Sequence, residues 1–177
     1  MRGFGKPLYL ATRRYGKDRC GAAAAEFALL LSLLVIPILN VADLAIYAWD
    51  RMQLENAAQM AAQAAWETCD SGTKLPALTK CTGLAAAVAV AASSNSLGTG
   101  AVVGTLTEGN FCPNSGGTAL VSAGTASDCS GINGSTDKPG DYLTIPVTYT
   151  YTPLFSGMSV VALLPTAMQS VGQMRLE

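Results

Sequence analysis

Histidine is absent from the 177 residues, and no Cys-x-x-Cys pair occurs. Without an imidazole there is no Ser-His or Cys-His pair for nucleophilic catalysis. Without paired, closely spaced ligands, neither a zinc cluster nor a thioredoxin-like redox centre is expected. Charge is also scarce: 13% of residues are charged against 50% hydrophobic. That balance leans toward membrane association rather than toward an ordinary soluble domain. A Gly-rich stretch, Gly98-Thr99-Gly100-Ala101-Val102-Val103-Gly104, misses the dinucleotide-binding spacing and reads as a turn. The chain is therefore not expected to be an enzyme, and no cofactor or metal is assigned to it.

The few charges are unevenly placed. Arg2, Lys6, Arg13, Arg14, Lys17 and Arg19 precede a long apolar run, and acids outnumber bases after it. The positive-inside rule puts such an N-terminus in the cytoplasm and the bulk of the chain outside. A basic arm of this kind also suits nucleic acid or anionic lipid, but its position beside an apolar run makes topology the simpler account. No nucleic-acid partner is expected.

Residues 22–42 provide about the 20 residues that a helix needs to cross a hydrocarbon core of about 30 Å. Pro37 interrupts the run and predicts a kink. Residues 1–21 read as a cytoplasmic leader. In a secretory signal peptide the small-residue cleavage site follows the apolar core; here the candidate site precedes it, so a cut at Gly21 would leave the anchor in place. Glu26 is the anomaly, because a carboxylate at the mouth of an apolar run costs about 3 kcal/mol on insertion scales unless it is paired.

Gly21, four alanines, then Glu26-Phe27 resemble the processing site of prepilins of the tight-adherence systems. The segment from Asp43 to Ala65 is similar to the juxtamembrane helix of TadE-like proteins, and Val147 to Phe155 with the final Met174-Arg175-Leu176-Glu177 resembles their C-terminal part. The resemblance implies a TadE-like minor pilin or pseudopilin, cut between Gly21 and Ala22, with Glu26 and Phe27 serving recognition or assembly. It implies three sets of partners besides the membrane: a prepilin peptidase, other pilins or pseudopilins, and the inner-membrane assembly platform. The location implied is a bacterial inner membrane crossed once, with the C-terminus periplasmic. Ala22 stands where many prepilins have Phe, which favours the tight-adherence branch. The alternative is a permanently signal-anchored extracytoplasmic binding protein with Glu26 incidental.

Beyond the anchor, Tyr47 and Trp49 are expected in an aromatic belt beside Asp43, Asp50 and Arg51. Residues 43–68 continue the helix, with Leu54, Ala58, Ala61 and Ala65 in one stripe and polar residues opposite. That stripe reads either as a packing face or as plain helix propensity. Residues 69–177 form the extracytoplasmic part of an α+β fold with a small antiparallel sheet. Leu84–Ala92 reads as a second helix, with a strand as the alternative, and residues 95–139 as loop and short strands with conceivable adhesive use. Leu143 to Thr152 alternates strongly, and Pro146 within it predicts an edge strand or bulge. Met158 to Leu164 is too short to span a bilayer and reads as a buried connection or a membrane-surface segment, and Gln169 to Glu177 as a closing antiparallel strand.

Cys69, Cys81, Cys112 and Cys129 lie on the outer side, where an even set suits disulfides. Three pairings exist. The simplest joins Cys69 to Cys81 and Cys112 to Cys129, and four reduced thiols are the alternative. Asp128, Asp137 and Asp141 lack EF-hand spacing and read as solvated loop carboxylates.

Overall fold

The computed structural model describes residues 19–69 and 71–176, the side chains of Arg19, Cys20 and Ala22 apart. The leader up to residue 18, Asp70 and Glu177 lie outside the described residues. Helix α1 runs unbroken from Arg19 to Thr68, 50 residues and about 75 Å. Alanine and leucine, the strongest helix formers, dominate it, and Pro37 is accommodated within its length. Its N-terminal half is long and apolar enough to cross a membrane, with a mean hydropathy of 2.4, which fits a single-pass membrane protein. Leu29, Leu30, Leu33, Leu34 and Ile38 there are exposed.

The C-terminal half of α1 is part of the folded domain. Leu54, Ala57, Ala58, Ala61, Ala62 and Ala65 are buried, while Asn56, Gln59, Gln63 and Glu67 face outward. The alanine stripe is thus a packing face and its partner is the chain's own sheet. Helix α3, Leu84–Ala92, packs Leu84, Val88 and Ala92 into the same core, after a short helix α2 at Ala77–Lys80.

The sheet has five strands: β1 Val102–Val103, β2 Thr107–Pro113, β3 Leu120–Ser122, β4 Gly140–Thr150 and β5 Ala167–Arg175. A one-turn helix α4, Ser130–Asn133, precedes β4. All pairings are antiparallel, and β4 is central. On one side β5 pairs along its whole length, from Tyr142↔Arg175 to Thr150↔Ala167. On the other, β2 covers the first half of β4 from Phe111↔Gly140 to Thr107↔Thr144, and β1 covers Val147 and Thr148. β3 extends the sheet beyond β2.

Of the two expectations for β4, the edge strand is wrong, but the local irregularity is there: four steps from Val103 to Thr107 face three from Val147 to Thr144. Pro146 sits between the end of β2 and the start of β1. Its carbonyl accepts from Gly104 N–H at 2.8 Å, so the donor it lacks also points into that interruption, where no ladder bond is required. Leu143, Ile145 and Val147 are fully buried against α1, and Met168, Gly172 and Leu176 share their face. The opposite face, with Thr148, Thr150, Gln169, Val171 and Gln173, is exposed. The chain is a two-layer α+β domain built around the distal half of its own membrane helix.

Both disulfides are of the simplest pairing. Cys69 is bonded to Cys81, 12 residues on, and Cys112 to Cys129, 17 residues on. The first closes the exit from α1, and the second ties β2 to α4.

Candidate functional site

The residues singled out in the sequence occupy the first turns of α1. Gly21 is exposed, and a Cβ there would meet nothing within 4 Å. Glu26 is exposed, and Phe27 is 65% exposed. The side chain of Ala22 lies outside the described residues. Gly21 and Glu26 are about 7.5 Å apart along the helix axis, and positions 22 and 26 share a helix face. Gly21, Glu26 and Phe27 thus lie open along the helix, away from the buried core.

A second constellation, not foreseen from sequence, surrounds Asp43. The chain leaves β4, makes a loop over residues 151–166, and returns as β5. Tyr151 N–H donates to Thr166 O at 2.9 Å across the mouth of that loop. Inside it, Tyr151 Oη donates to Asp43 Oδ1 at 2.5 Å, and Leu154 N–H donates to the same oxygen at 3.1 Å. The Asp43 backbone carbonyl also lies 3.2 Å from Tyr151 Oη. Asp43 is wholly buried. The Ser159 hydroxyl stands beside the carboxylate without completing a hydrogen bond to Oδ2, which has no partner among the described residues.

One turn earlier, Asn40 bridges in the same way. Its Oδ1 accepts from Val160 N–H at 2.7 Å and its Nδ2 donates to Ile36 O at 2.8 Å. One turn later, Tyr47 Oη donates to Pro165 O at 3.1 Å, and the Tyr47 and Tyr151 rings meet edge to face at 5.3 Å. Asn40, Asp43 and Tyr47 thus form one stripe on α1 that clasps the loop. Tyr47 is consequently buried in the domain rather than presented to a membrane interface, while Trp49 is 55% exposed.

Burial raises the Tyr151 phenol well above its usual range, with the bond to Asp43 adding to the effect. Tyr149 is raised too, by burial first and then by Asp50 beside it. Both rings are therefore held neutral. Elsewhere, Asp128 accepts from Ser130 N–H at 3.0 Å and from its hydroxyl at 2.5 Å, and these bonds hold its carboxyl below the usual range. Ser135 Oγ donates to Asp137 Oδ2 at 2.6 Å. The sequence also holds two Ser-x-x-Lys stretches, Ser71–Lys74 and Ser135–Lys138. In the first, Lys74 Nζ donates to Thr68 O at 2.8 Å. A shallow cleft of about 370 Å³ lies between α1 and β5, lined by Tyr47, Arg51, Glu55, Met168 and Ser170.

Glu108 on β2 is a further residue not foreseen from sequence. Its two carboxylate oxygens accept from Ala77 N–H at 2.6 Å and Leu78 N–H at 2.9 Å, so it caps the first turn of α2. The only local sign was an acidic residue within an otherwise neutral stretch.

Comparison with known proteins bears on the helix. Residues 21–63 match the family model of TadE-like proteins. The matched segment starts at Gly21 and takes in Glu26, Phe27, the whole apolar run, Asn40, Asp43, Tyr47 and most of the alanine stripe. No curated protein and no solved structure matches the chain.

Proposed function

We propose, from a TadE-like helix that opens on Gly21, that this protein is a minor pilin or pseudopilin serving assembly of a tight-adherence pilus. The observation that carries the reading is the spacing Gly21-x4-Glu26-Phe27 at the entrance to α1, inside the family match. A prepilin peptidase on the cytoplasmic side would cut between Gly21 and Ala22. The bond lies within the first turn of α1, so cleavage requires that turn to unwind, and Gly21 is the residue that resists unwinding least.

The cut would create an ammonium at Ala22, one helical turn from the Glu26 carboxylate. At the cytoplasmic edge of the hydrocarbon each charge is costly if left unpaired and the pair relieves both, whether inside one chain or between neighbours. Glu26 is exposed and so available to a neighbouring subunit. Processing would thereby license entry into a filament base or tip, with other pilins and the inner-membrane platform as partners. The outer domain, far larger than the helix needs for anchoring, suits a minor component better than the main filament subunit.

The test is the N-terminal residue of the protein taken from its native membrane, with and without the peptidase. The proposal expects a peptidase-dependent start at Ala22. An intact leader in the presence of active peptidase favours a permanently anchored binding protein instead.

A further inference from the structure

The loop clasped by Asn40, Asp43 and Tyr47 carries an apolar surface that faces outward. Leu154, Met158, Val160 and Leu163 are exposed, the last at 85%, while Val161 alone is fully buried beneath them. No charged residue occurs between Asp141 and Arg175. In a soluble domain, such a cluster would be an exposed patch demanding a partner.

Its position along α1 identifies the partner. After Glu26, the next charges on the helix are Asp43, which the loop buries, then Asp50 and Arg51. The lipid-facing side of α1 is therefore free of exposed charge over residues 27–49, about 34 Å at the helical rise. A hydrocarbon core of about 30 Å starting at Phe27 ends near Ile46. Asn40 and Asp43 fall about 9 Å and about 5 Å inside that limit, and the loop is bonded to both. Its exposed side chains continue the apolar surface of the anchor.

Six backbone N–H groups of the loop are bonded in the way that hydrocarbon requires. The N–H groups of Leu154, Met158, Val160, Val161, Ala162 and Leu164 all have acceptors: Asp43, Asn40 and Ser159 side chains or local carbonyls. Irregular backbone is tolerated at membrane depth when it is satisfied in this way and packed on protein. Conversely, Asp43 is tolerable there because Tyr151 and Leu154 donate to it.

We propose that residues 152–164 form a lipid-embedded collar, which sits in the outer leaflet of the bilayer around α1 and seats the domain on the membrane. The proposal rests on the single-pass reading of α1. The experiment uses the full chain with Cys20→Ser, reconstituted in phosphatidylcholine vesicles under non-reducing conditions. An environment-sensitive fluorophore is attached at Leu163→Cys and, for reference, at Leu31→Cys in the anchor and Thr118→Cys on the exposed domain. Quenching by spin-labelled lipid and by aqueous iodide is then read at each site.

The expected result is loss of Leu163 fluorescence to shallow spin-labelled lipid and little loss to iodide. Leu31 should lose signal to the deep lipid quencher, and Thr118 to iodide alone. A Leu163 probe as open to iodide as Thr118, with Leu31 still in lipid, overturns the collar while leaving the anchor standing. A Leu163 probe shielded from both quenchers overturns it in favour of a protein partner. An unquenched Leu31 probe removes the single-pass reading and the collar together.

Discussion

Gly172 on β5 lies directly beneath the main chain of Ala58 on α1: a Cβ built at Gly172 would run into the Ala58 carbonyl and reach Ala62 Cβ at 3.2 Å. The helix and the sheet approach each other this closely only because glycine faces alanine. Gly172→Ala is expected to destabilise the domain by about 1–3 kcal/mol, since rigid main chain must move. Val171→Ala, on the exposed face of the same strand, should stay within about 0.5 kcal/mol. Denaturant unfolding of the detergent-solubilised protein compares the two.

The buried phenols set an alkaline limit. Tyr149 and Tyr151 ionise less readily folded than unfolded, because burial and the nearby Asp50 and Asp43 oppose the phenolate. Their contribution is complete below the unfolded value of about 10 and is lost as pH rises through the folded values. The denaturation midpoint should therefore hold up to about pH 9 and fall steeply above pH 10. Tyr151→Phe lowers stability at neutral pH, by removing a donor from Asp43, and flattens the alkaline fall. An unchanged slope in that variant would count against the assignment.

Each disulfide closes a short loop, with separations of 12 and 17 residues. Loops of that size correspond to about 3 kcal/mol each in the chain-entropy view. Non-reducing peptide mapping of protein from an oxidising compartment should recover Cys69 with Cys81 and Cys112 with Cys129 and no cross pairs. Cys112→Ser with Cys129→Ser should loosen β2 and β3 and leave the α1–β4–β5 unit folded, as read by amide exchange strand by strand.

Glu108→Ala should free the two N–H groups at the start of α2 and cost about 1–2 kcal/mol, with Glu108→Gln recovering part of it. The same change should increase proteolytic nicking between Gly72 and Lys80, because Glu108 ties that segment to β2.

Much of this architecture could be read from the sequence where one physical signal dominated. The apolar run, the alanine stripe and the alternation over β4 and β5 each carry a period that only one element satisfies. The short cysteine spacings made the observed pairing the simplest. The helix ends at Thr68, as expected, and β5 begins at Ala167 rather than Gln169, an ordinary boundary difference.

What stayed illegible depends on distant partners. β2, Thr-Glu-Gly-Asn-Phe-Cys-Pro, has little strand propensity and exists because β4 and the Cys112–Cys129 bond hold it in place. The role of Asp43 was hidden for the same reason: its partners Tyr151 and Leu154 are more than 100 residues away. Sequence position alone made Asp43 an interfacial charge, whereas the fold makes it the clasp of a loop. Pro146 misled because propensity rules treat a central strand as continuously paired on both sides, and here one side changes partner at that residue.

Helix α1 carries no joint between the apolar segment and the domain. Anchor and domain therefore share one rotational phase: turning the anchor about its axis turns the sheet with it. Each residue added to or removed from the helix between Glu26 and the clasp at Asn40 would rotate the domain by about 100° relative to Glu26. Which side of the domain confronts a neighbour bound at the helix entrance is thus set by a residue count, as the pitch of a screw sets the angle of its head.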